Sequence, residues 1–111
     1  MRTVTVKELV DKYGFQAVSI PHPEKEVVGG YVGDLLSWVM GRATEGCAWI
    51  TIMSNLNVIA VATLVDVSCV ILAEGVILDG EVLSAAKSKG VNILSSSLPA
   101  YETALLLGGA I

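Results

Sequence analysis

The sequence predicts an α/β layered domain with a four- or five-stranded, mostly parallel sheet covered by helices. Three observations carry this. From Cys47 onward, strand-like and helix-like runs alternate, and the strand–helix unit recurs about every 22 residues. The strand-like runs are short and continuously apolar, the pattern of parallel strands buried on both faces. The run 58–65 is apolar almost all round, which suits a helix packed into a layer rather than one half in water. At 111 residues, positions 1–111 read as a single domain.

The elements follow in order. Thr5-Val6-Lys7-Glu8 is a capping-box pattern, and Val6, Leu9, Val10 and Tyr13 then recur at helical spacing up to Gly14, a helix stop. Gln16–Ile20 reads as a short strand ended by Pro21, and 21–26 as a polar loop. The β-prone stretch 27–33 is broken by Gly29, Gly30 and Gly33, and Asp34 is placed to cap a helix over 35–40. Trp49–Met53 is a strand followed by a helix over about 55–65. Cys69–Ala73 is a strand, and a helix over about 80–89 follows, capped by Asp79, with Val82, Leu83 and Ala86 inward and Lys87 and Lys89 at the negative end of its dipole. Val91–Leu94 is a fourth strand, closed by Ser95-Ser96-Ser97, and Pro99 opens a last helix carrying Ala104, Leu105 and Leu106.

Composition narrows the function. Apolar residues make up 53% and charged residues 16%, which excludes disorder and leaves apolar surface for a partner to cover. Residues 46–65 carry no charge and are long enough to span a bilayer, but Ser54, Asn55 and Asn57 fall at their centre and no Lys or Arg cluster flanks them. Two buried elements joined by a polar turn is the preferred parse, with no membrane insertion. The net charge is −4, and no basic residue lies between Arg42 and Lys87, so nucleic acid is not an expected partner. Cys47 and Cys69 have no metal-type spacing and sit in apolar runs, as buried reduced thiols do. His22, between two prolines, reads as a solvated loop residue. With these, no metal or other cofactor is expected. Met1–Glu8 has no apolar leader core, and the expected compartment is the cytoplasm.

Catalytic patterns are missing. The sole histidine is His22, no G-x-S-x-G elbow occurs, and the acids Asp79 and Glu81 sit where a first helical turn favours them. Gly29-Gly30-Tyr31-Val32-Gly33 echoes a phosphate loop but has no following Lys. A bulge or tight turn with positive φ explains the same glycines. In sheets of this kind ligands bind at the carboxyl ends of the strands. Candidate ligand residues are therefore Ser54, Asn55, Asn57, Gly75, Ser95, Ser96 and Ser97, with Gly29 and Gly30 from the glycine stretch. Helix capping is the favoured reading of Ser54, Asn55 and Ser97, since every helix needs a cap whatever the function. Trp38, Met40, Leu105 and Leu106 are the candidate interface residues.

Three segments resemble a DRTGG-type domain, similar to the N-terminal domain of HPr kinase/phosphorylase. They are 28–37, Trp49-Ile50-Thr51-Ile52 with 57–62, and 91–94 with Tyr101-Glu102-Thr103-Ala104. The chain departs from the family pattern at two turns. Met53-Ser54-Asn55-Leu56 stands where a Gly-Asp-Arg turn is expected, and Ala73-Glu74-Gly75 where a Thr-Gly-Gly turn is expected. The resemblance implies a regulatory module of the kind found beside CBS domains or phosphotransacetylase. The phosphate loop of the kinase family belongs to a different domain. Together these readings predict a non-catalytic regulatory module, a homodimer or larger homo-oligomer, sensing a small anionic ligand or nucleotide at the strand ends. The alternative is a protein-interaction or scaffolding subunit with no small-molecule ligand.

Overall fold

The computed structural model describes residues 3–111. In chain order the elements are β1 (Val4–Thr5), α1 (Val6–Tyr13), β2 (Gln16–Ser19), β3 (Glu26–Val27), β4 (Gly30–Val32), α2 (Leu36–Arg42), β5 (Ala48–Thr51), α3 (Leu56–Val65), β6 (Cys69–Leu72), α4 (Gly80–Lys89), β7 (Ile93–Ser95) and α5 (Ala100–Ala110). The main sheet has the order β2-β7-β6-β5-β4. β4, β5, β6 and β7 run parallel, because a helix returns the chain to the same edge between each pair. β2 reaches β7 without such a crossover and pairs antiparallel, Gln16 opposite Ser95. β1 and β3 form a separate two-stranded ribbon, Val4 opposite Val27.

The strand register divides the core in two. Along β5 and β6, Trp49, Val70 and Leu72 point to one face, where Val39 of α2, Val58 and Ile59 of α3, and Val82 and Ala86 of α4 cover them. Ala48, Ile50, Cys69 and Ile71 point to the other face, under Leu9 of α1 and Leu107 of α5. Alternate residues thus face opposite apolar layers, which is why the strands read as unbroken apolar runs. The uncharged stretch 46–65 resolves into β5, a polar turn and α3. Among the described residues no helix is long and apolar enough to cross a membrane.

The starts of α1, α3, α4 and α5 and the end of α1 are built from the residues expected to build them. Thr5 Oγ1 accepts from the Glu8 N–H at 3.2 Å, while Glu8 Oε1 accepts from the Thr5 N–H at 3.1 Å. Gly14 ends α1 in the left-handed conformation, φ 83°. Asn55 and Asp79 cap α3 and α4 through their side chains. Pro99 immediately precedes α5.

Three details differ from the sequence reading. The ribbon strands β1 and β3 are two residues each, too short to show any periodicity. β5 and β6 end at Thr51 and Leu72, earlier than the expected Met53 and Ala73, and β7 is shifted along to Ile93–Ser95. The positive φ expected in the glycine stretch is found at Gly29, φ 152°, just ahead of β4. Asp34 does not cap α2, whose N-cap residue is Leu35 with no side-chain bond. The Asp34 carboxylate is engaged across the sheet instead. Its Oδ1 accepts from Thr51 Oγ1 at 2.7 Å and from the Ile52 N–H at 3.0 Å.

Candidate functional site

The carboxyl ends of β4 to β7 lie along one edge of the sheet because all four strands are parallel. Asp34 ties the ends of β4 and β5 together, and Trp49 Nε1 donates to the Gly33 carbonyl at 2.8 Å beneath them. The ends of β6 and β7 are tied by backbone. The Glu74 N–H donates to Leu98 O at 2.8 Å and the Gly75 N–H to Ser96 O at 2.9 Å. Glu74 and Gly75 both take positive φ, 61° and 68°, which turns the chain sharply enough for two successive amides to reach one loop.

A hollow of about 330 Å³ opens beside this double loop. Leu72, Val76, Leu78 and Leu83 line it, Gln16 and Val18 of β2 close one side, and Gly75 with Ser95, Ser96 and Ser97 form the rim. The three serines differ. Ser96 is buried, and its Oγ accepts from the Leu98 N–H at 3.1 Å and from Thr103 Oγ1 at 3.0 Å, so it serves the start of α5. Ser95 is half-buried and its hydroxyl lies 3.4 Å from Gln16 Oε1, while Ser97 is exposed. Gln16 was not among the expected site residues. It reaches the site only because β2 pairs antiparallel with β7, a pairing that nothing in its local sequence announces.

Asn55 and Asn57 line a second hollow of about 330 Å³, between the N-terminal turns of α3 and α4, with Asp79 and Glu81 opposite. Asn55 Oδ1 accepts from the Asn57 N–H at 3.0 Å and Asp79 Oδ1 from the Val82 N–H at 3.1 Å, so both side chains cap helices. Ser54 lies half-buried in the turn leading to Asn55. With Asp79 and Glu81 facing it, this hollow repels anions. Gly29 and Gly30 are not brought to either hollow. They stand at the amino end of β4, on the opposite edge of the sheet, where Gly30 lies against Leu107 of α5.

The candidate interface residues fall in two layers. Trp38 and Met40 are exposed on α2, with the Arg42 guanidinium 3.9 Å from the Trp38 ring centroid. Leu105 is exposed and Leu106 half-buried on α5, across the sheet. Cys47 and Cys69 are both free and buried, and burial pushes both thiols above their ordinary range. They belong to opposite apolar layers. Among the described residues, no three His, Cys, Asp or Glu side chains gather as a metal ion would require.

No protein-family model matches the chain, and no curated protein sequence matches it. Among solved structures it is similar to the CBS and DRTGG domains from the regulatory region of a Clostridium perfringens pyrophosphatase, crystallised with its activator diadenosine tetraphosphate. The two share 16% identity at a TM-score of 0.78 over 96% of this chain, which spans 47% of that one, about half its length. At this identity the likeness is one of fold. The fold is that of a DRTGG-type domain.

Proposed function

We propose that this chain is a non-catalytic, cytoplasmic regulatory module that self-associates and senses a nucleotide at the carboxyl ends of β6 and β7. The observation that carries this reading is the hollow there, with apolar walls and a rim of Gln16, Ser95 and Ser97. A nucleobase has apolar faces and hydrogen-bonding edges, and such walls with a few polar rim groups suit it. No Lys or Arg occurs between Arg42 and Lys87, and Glu74 stands at the β6 turn. The base and ribose therefore supply the affinity, and the phosphates point to solvent. The fold shared with a regulatory region crystallised with a dinucleotide activator supports the same reading.

A thermal-shift series with adenosine, AMP, ATP, diadenosine tetraphosphate and inorganic phosphate tests it. The nucleoside-containing ligands raise Tm and phosphate alone does not; at a hundredfold excess over Kd the gain is about 2.7 kcal/mol. Leu83→Trp fills the hollow and removes the shift while leaving the unliganded protein folded. No shift with any nucleotide would leave the second reading, a scaffolding subunit without a small-molecule ligand. That reading is favoured by the exposed apolar residues of α2 and α5.

A further inference from the structure

We infer that two copies of this chain join through the β4 edge, in antiparallel pairing centred on Tyr31, so that the two five-stranded sheets become one of ten. This gives a geometry to the self-association proposed above and rests on it. β4 is an edge strand, bonded on one side only, to β5. The Ala48 N–H donates to Gly29 O at 2.9 Å and the Gly33 N–H donates to Ile50 O at 3.1 Å. In a parallel ladder alternate residues face the neighbour, so Gly29, Tyr31 and Gly33 face β5, and Gly30 and Val32 turn their N–H and C=O groups outward. An outward row of this kind is satisfied in full by another extended strand.

The occupant is a second copy because the edge is complementary to itself. A two-fold axis at Tyr31 sets Gly30 of each copy opposite Val32 of the other. These are the residues with outward backbone groups, so each pair exchanges two hydrogen bonds, four in all. The side chains agree with that register. Gly30 and Val32 share the face covered by α5, and Val32 is 51% exposed there. Beside Gly30 lies a hollow of about 210 Å³ lined by Ala104, Leu107, Gly108 and Ile111. The axis drops Val32 of each copy over Gly30 of the other and toward this hollow. A knob and a hole two positions apart on one strand make an isologous contact.

Charge points the same way. A chain of net −4 repels its own copy except where charge is missing. Between Val27 and Gly41 the sole charged residue is Asp34, and from Thr103 to Ile111 there is none. The edge also lacks the lysines and prolines that commonly keep exposed strands apart. Val28, Leu35 and Ile111, all exposed, flank it.

Light scattering on the full chain at about 100 µM, with two variants, tests the geometry. The unmodified protein runs at about 23 kDa, twice 11.6 kDa. Val32→Lys falls to the monomer mass with an unchanged far-ultraviolet circular dichroism spectrum. Tyr31→Cys forms an intermolecular disulfide on mild oxidation, since a non-hydrogen-bonded antiparallel pair brings the Cα atoms to about 4.5 Å. A Val32→Lys protein that remains dimeric, or a folded Tyr31→Cys protein that does not cross-link, overturns the β4 geometry while self-association stands. A monomeric unmodified protein overturns both.

Discussion

Asn92 uses its amide on backbone alone. It is buried, its Oδ1 accepts from the His22 N–H at 2.9 Å, and its Nδ2 donates to His22 O at 2.8 Å and to Ser68 O at 2.9 Å. It therefore fastens the loop after β2 to the turn before β6. Asn92→Ala strands those backbone groups and costs about 2–3 kcal/mol, the range for unpaired buried polar groups. The Tm falls by about 10 °C or more, measurable by a circular dichroism melt. A lone Asn inside an apolar run was visible in the sequence, but its partners, 70 and 24 residues away, were not. Asp34 shows the same blindness. A carboxylate ahead of a helix has the pattern of a cap, and only the parallel pairing of β4 with β5 brings Thr51 within its reach.

Cys69 adds a pH dependence. Full burial first, and the nearby Cys47 second, raise its thiol above the ordinary 9.0, so the folded state holds the proton longer than the unfolded one. That contribution is complete below about pH 9 and is lost as pH rises further. At pH 10 the loss is about 1.4 kcal/mol. Urea unfolding at pH 7 and pH 10 shows the loss, and Cys69→Ala shrinks the difference between the two.

At the scale of elements, the sequence carried most of the secondary structure. Capping box, left-handed glycine stop and apolar strand runs are local signals, and α1, α3, α4, β5 and β6 follow from them. The ribbon of β1 and β3 was not legible, since two pairs of residues, 23 and 21 positions apart, have no period of their own. Gly14 is the cleanest local test. At φ 83° a Cβ there meets nothing within 4 Å, so the left-handed backbone alone sets the cost of Gly14→Ala. That cost is about 1–2 kcal/mol, read as a lowered urea midpoint with unchanged slope.

At the scale of the molecule, the layered class and the parallel sheet were readable because strand–helix alternation leaves few arrangements. The structure brings only some of the candidate site residues together. Gly75 and Ser95–Ser97 meet at one hollow, as their positions at strand ends require. Asn55 and Asn57 face another across two acids, and Gly29 and Gly30 lie at the far edge. The difference comes from strand boundaries. Gly29 and Gly30 open β4 rather than follow it, and a single sequence does not distinguish the two ends of a three-residue strand.

The antiparallel seam between β2 and β7 also bears on how the chain reaches this structure. Gln16 and Ser95 are partners 79 positions apart, whereas β5 and β6 are joined through one intervening helix. Closing the longer span surrenders more chain entropy before any bond is made. The central ladder therefore assembles first and the β2 seam last, which makes folding a race between that closure and the pairing of a bare β7 edge with another molecule.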